Sequence, residues 1–208
     1  MDSAVALVRS YLKLNGFFVI TDYPIIEAIG HNGVRSVTDL DILAVRFPGA
    51  GRLIPRGQHG EMIGTVDPEL GVSSDHVEFI IGEVKQGAAH LNRGAHDPGV
   101  IRAALARFGS CSHDQTKEVV EDLLANGRGV TPSGHHVRML IFASYVENNP
   151  GHGVHVITLG HMRHFVTEYL REHWHILHET QFSDPAMNFL MMLEKANRHS
   201  SRHSHRHP

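Results

Sequence analysis

Three segments of this chain are apolar over consecutive positions without a helical period: Val34–Phe47 (VRSVTDLDILAVRF), Val77–Lys85 (VEFIIGEVK) and residues 135–146 (HHVRMLIFASYV). Runs of this kind read as β-strands covered on both faces. A fourth such strand is expected at GVHVITLG, and FFVITDYPIIEAIG reads as one or two short strands broken near Pro24. Between and around them lie segments of helical period. Residues 3–15 carry Val5, Val8, Tyr11 and Leu12 on one stripe, with Ser3 as the expected cap and Gly16 after the end. Helices are also expected at 98–108 (Asp97 as cap, Pro98 at the first position), at 114–126, in HMRHFVTEYLREHW and at 184–197. Strands and helices in this order predict an α/β fold, a central mixed sheet flanked by helices on both faces.

The chain has 208 residues, 41% apolar and 20% charged, which suits one packed domain. We expect that domain to span residues 1–197. Within it, residues 48–76 are rich in Gly and Pro and read as a loop insertion. The tail from 198 to 208 (RHSSRHSHRHP) is of low complexity and is expected to be disordered. The formal charge of −3 gives no global basic signature for nucleic acid. Cys111 is the only cysteine, the N-terminus lacks the pattern of a secretory signal, and no apolar run approaches a membrane span. A cytoplasmic protein with no membrane partner is the expectation.

Two of the apolar strands carry charge where a core is expected. By strand alternation Asp39 and Asp41 share a face with Val37, Leu43 and Val45, and Glu83 and Lys85 share one with Phe79 and Ile81. An unpaired buried charge is costly, so such groups find a partner or shift their pKa. Several carboxylates together repel one another, and a divalent cation is the simplest agent that holds them as anions. The bland alternative is a set of ordinary ion pairs at strand ends.

The Asp within TDLDILAV, followed on a later strand by GEVKQG, resembles the PD-(D/E)xK nuclease superfamily, whose fold is restriction endonuclease-like. The resemblance runs from about residue 3 to residue 145 and includes the leading helix and the helix behind the second strand. It implies a metal-dependent endonuclease hydrolysing phosphodiester bonds of DNA. Asp41 and Glu83 are then the Mg²⁺ (or Mn²⁺) ligands, with the Val84 carbonyl as a further ligand and Asp39 as a neighbour or second ligand. Lys85 is the residue that positions the attacking water, and Gln86 lies near the scissile phosphate. The leading helix carries no Glu of the kind some branches use there, and Glu27 is the candidate substitute. A non-catalytic member of the same fold, binding nucleic acid or protein, is the alternative; the intact set of Asp41, Glu83 and Lys85 argues against it. Arg35, Arg93, Arg102 and Arg107 are candidates for a phosphate-binding groove. Cutting both strands of a duplex also makes a homodimer an expectation.

The 19 histidines form no zinc pattern: there is no Cys pair and no His-Glu-x-x-His. His161 and His164, and His173, His175 and His178 around Trp174, read as solvated or core-satisfied rings. Cys111 near His113 reads as a small loop residue, and Met187, Met191 and Met192 as core or a dimer contact.

Overall fold

A computed structural model describes residues 2–29, 33–51, 66–147 and 153–204, with the side chains of residues 28, 29, 93, 113 and 199–204 excepted. The architecture is α/β, with one mixed six-stranded sheet flanked by helices. Helix α1 (Ser3–Leu14) leads into the long hairpin of β1 (Phe18–Ile29) and β2 (Gly33–Arg46), and β3 (Glu78–Ala88) pairs antiparallel to β2. Two helices, α2 (Pro98–Phe108) and α3 (Thr116–Asn126), cross over to β5 (His136–Tyr145), which lies parallel to β3. Beyond β5, β4 (Arg128–Val130) and β6 (His155–Thr158) pair with different stretches of its outer edge. Helices α4 (Leu159–Glu172), α5 (Trp174–Leu177) and α6 (Pro185–Ser204) complete the chain.

Each face of the sheet has its own apolar layer. Ile42, Ala44, Ile80 and Phe142 pack against α1, α4 and α6, while Leu43, Phe79, Ile81 and Met139 pack against α2 and α3. Local signals set the helix limits. The Asp97 carboxylate accepts a hydrogen bond from the Gly99 N–H at 2.7 Å, and Gly109 and Gly127 close α2 and α3 in the left-handed conformation.

Several elements differ from expectation. Pro24 does not break β1: it pairs opposite Asp39 within one continuous strand. β1 is an edge strand, where a missing N–H interrupts no second ladder. β2 is covered on both sides only from Leu40 onward; residues 33–37 and Asp39 are exposed, because β3 pairs only with Ile42–Arg46. The fourth strand is confined to His155–Thr158, and the short β4 and α5 were not foreseen. Helix α6 runs on to Ser204, past the expected start of the tail at residue 198. There Arg198 bonds to Glu194 at 3.2 Å and stacks 4.3 Å from the Trp174 ring. Residues 52–65 of the expected insertion at 48–76 lie outside the described residues. Its described end is anchored by the buried Asp67, which accepts hydrogen bonds from Tyr11 Oη at 2.8 Å and the Glu69 N–H at 3.0 Å.

Candidate functional site

β2 and β3 separate one step beyond their last paired residues, Ile42 and Gly82. That next step brings Asp41 within electrostatic reach of Glu83, and the close approach beforehand depends on Gly82. A Cβ at Gly82 would lie 2.8 Å from Phe142 Cε2 and 2.9 Å from Ile42 Cβ. Where the ladder opens, the Val84 N–H donates to Asp41 Oδ2 at 2.7 Å. Val84 therefore meets Asp41 through its amide.

The same level of the hairpin is irregular. Asp22 and Asp41 fall between the pairs Thr21–Ile42 and Tyr23–Leu40. Asp22 has φ 53, the one non-glycine residue with positive φ among those described. Ile42 belongs to the α1-side layer, yet Leu40 joins Leu43 in the α2-side layer. Strict alternation is broken between them, so Asp39, which is exposed, does not continue the face of Leu43. Asp39 makes no side-chain contact with the cluster among the described residues.

Glu83 is buried, with 6% of its side chain exposed, and forms an ion pair with Lys85. Asn92 completes a ring: its Nδ2 donates to the same Glu83 Oε1, and Lys85 Nζ donates to Asn92 Oδ1 at 2.9 Å. Gln86 Nε2 donates to Asp2 Oδ2 at 2.6 Å, and Asp2 Oδ1 caps α1 through the Ala4 N–H at 2.7 Å. Asp2, not Ser3, is thus the cap, and it brings a further carboxylate to the site. Glu27 pairs instead with Arg35 at 2.9 Å on the exposed arm of the hairpin.

Both facing carboxyls hold their protons more tightly than ordinary ones. Burial is the main cause for Asp41; it outweighs the Val84 N–H and the Lys85 charge, and Asp22 and Asp2 push the same way. Burial also dominates at Glu83, where Lys85 opposes it and Asp41 adds to it. The cluster carries more negative charge than Lys85 neutralises. Among the described residues, Asp41 Oδ1 and Glu83 Oε2 accept no hydrogen bond. Two carboxylates with one idle oxygen each, Glu83 buried and Asp41 partly so, are a hard-oxygen donor set of the kind that takes Mg²⁺ with several waters retained. Among the described residues no group of three or more His, Cys, Asp or Glu side chains is placed to hold a metal ion. Any shell here therefore rests on this pair, backbone oxygen and water.

The arginines do not converge. Arg35 lies six residues from Asp41 along β2, about 20 Å in extended chain. Arg102 is exposed on α2, Arg107 lies 5.4 Å from the Tyr23 ring, and the Arg93 side chain lies outside the described residues. A cleft of about 770 Å³ lined by Phe18, Ile20, Phe47 and Phe108 follows the sheet edge and shares no lining residue with the carboxylates.

Sequence reasoning missed Asp2, Asp22 and Asn92. Asp2 was visible as an acid before a helix, a capping signal as good as that of Ser3. Nothing in TDYP or HLNRG marks Asp22 or Asn92.

Fold and cluster together define an α/β protein with two carboxylates on adjacent strands, one of them paired with a lysine two residues on. No protein-family model, curated protein or solved structure matches the chain. Among the described residues no helix is long and apolar enough to cross a membrane.

Proposed function

We propose that this chain is a metal-dependent nuclease of the PD-(D/E)xK type, with a restriction endonuclease-like sheet, hydrolysing phosphodiester bonds of DNA. The observation that carries the reading is that Asp41 and Glu83 follow directly on the last β2–β3 pair, with the Asp41 charge acting on the Glu83 carboxyl and Lys85 paired to Glu83. Asp41 and Glu83 would hold Mg²⁺ or Mn²⁺. Such an ion, when bound, polarises a phosphate oxygen and acidifies a water. The chain's own part is to supply anionic oxygens from two rigid strands and to hold the Lys85 ammonium where negative charge accumulates in the transition state. Gln86, held by Asp2 at the start of α1, would lie near the scissile phosphate. A homodimer, giving a site for each strand of a duplex, belongs to the same proposal.

The test is cleavage of plasmid and single-stranded DNA in Mg²⁺ or Mn²⁺, beside Asp41→Ala, Glu83→Ala and Lys85→Ala. We expect losses of about 100-fold or more in each variant, as for removal of a principal electrostatic group. No cleavage by the wild type under any of these conditions, or equal cleavage by the three variants, refutes the proposal.

A further inference from the structure

We infer that Asn92 is a positioning residue that aims the Lys85 ammonium into the site. The inference rests on the nuclease reading for its effect on rate, but not for its geometry.

Asn92 stands at the N-cap position of the short 3-10 helix Arg93–His96, a place where an Asn side chain normally bonds to the helix's own backbone N–H groups. It makes no such bond. Its amide is turned to the strand instead, donating through Nδ2 to Glu83 Oε1 and accepting from Lys85 Nζ at 2.9 Å. An ammonium has three N–H donors in tetrahedral array. With one on Glu83 and one on Asn92, the direction of the third is fixed. Glu83 Oε1, receiving from both Lys85 and Asn92, is fixed as well, which leaves Oε2 as the oxygen free to take a cation. Without Asn92, Lys85 keeps a single partner and its four-carbon stem is free to swing about it. A carboxamide suits this post because one planar group both donates and accepts, and because it adds no charge to a cluster already rich in carboxylates.

The experiment uses the full chain with ¹⁵N-labelled lysine. In the wild type the Lys85 Nζ–H signal should be observable at low temperature, identified by its absence in Lys85→Arg. In Asn92→Ala it should broaden or vanish in a chain that still unfolds cooperatively, with the midpoint lowered by several degrees through the lost bond to the buried Glu83. Asn92→Asp keeps an acceptor for Lys85 and should keep the signal. In the cleavage assay Asn92→Ala should lower kcat about 10-fold or more with KM for DNA changed less than about 2-fold, the pattern of an interaction realised in the transition state. An unchanged Lys85 signal in Asn92→Ala overturns the inference. So does an unchanged kcat in a protein shown to cut DNA. If the wild type cuts nothing yet the signal is lost in Asn92→Ala, the positioning of Lys85 stands and the nuclease reading falls.

Discussion

Asp41→Asn should make the metal-free protein more stable at neutral pH. The substitution keeps size and shape, and the Asn Oδ1 can still accept from the Val84 N–H. What it removes is charge. The Asp41 charge acts on the Glu83 carboxyl, which places the two groups within the short range of such interactions. Two carboxylate charges about 6 Å apart repel by about 3 kcal/mol at an effective dielectric constant near 20. Lys85 cancels part of that, and Asp41 is only partly buried, so solvent screening removes more. About 1 kcal/mol should remain, or about 2–4 °C in Tm for a chain of this length. The pH dependence has a definite sign. Both carboxyls are raised above ordinary values of 3.8 and 4.5. Their contribution to stability is therefore full below those values and is lost as pH rises through the higher folded ones. The wild type should lose stability over that interval, and Asp41→Asn should lose less. Mg²⁺ should reverse the order: at ten times its dissociation constant it adds about 1.4 kcal/mol to whichever form binds it. Urea denaturation of both proteins at pH 5 and 7.5, with and without Mg²⁺, reads all of this. A variant that is less stable than wild type at pH 7.5 without metal, or that gains as much from Mg²⁺, refutes the reasoning.

Lys85→Met should destabilise by about 2 kcal/mol or more, because it leaves the buried Glu83 carboxylate without its cation. With Lys85 gone the Glu83 carboxyl is raised further, so the loss should be larger at pH 8 than at pH 5 in urea titrations; equal losses would contradict the pairing. Gly82→Ala should cost about 1–3 kcal/mol by overpacking, since the new methyl meets Phe142 Cε2 and Ile42 Cβ inside 3 Å. Its urea midpoint should fall with little change in slope. Tyr11→Phe deletes one donor to the buried Asp67 carboxylate and should cost about 1.5–3 kcal/mol, the range for hydrogen bonds to charged groups; a loss under about 0.5 kcal/mol would mean that His161, 2.7 Å from the same oxygen, suffices to satisfy Oδ2.

What was legible in the sequence was what local chemistry decides. Asp97 and Pro98 announce α2, Gly127 ends α3, and the apolar runs mark β2, β3 and β5 because covered strands leave no room for polar alternation. The pairing of Asp41 with Glu83 was legible as a proposal, because each sits in such a run. The other members depend on contacts that leave no local trace. Asp2 reaches Gln86 across 84 positions of chain, and Asn92 lies in a segment whose residue types fit any loop. Pro24 misled because its effect depends on whether the strand has one neighbour or two, which sheet order decides.

The irregularity at Asp22 explains why two carboxylates can stand at this level of the sheet at all. A left-handed non-glycine residue costs about 1 kcal/mol or more and persists only where its surroundings over-determine it. Here the hairpin has to pass Leu40 to one layer and Ile42 to the other, and the change of face falls at Asp22 and Asp41. By turning away, β2 ceases to supply a backbone acceptor to β3, and a buried N–H without an acceptor is costly. Asp41 Oδ2 supplies it to Val84. The carboxylate is thus held in place by repairing the ladder it interrupts, and its second oxygen is left over. Asp41→Ala removes both the repair and the charge, whereas Asp41→Asn removes the charge alone. Loss of activity in Asp41→Ala with a folded, more stable and inactive Asp41→Asn would therefore assign the missing activity to the anion and not to the hydrogen bond.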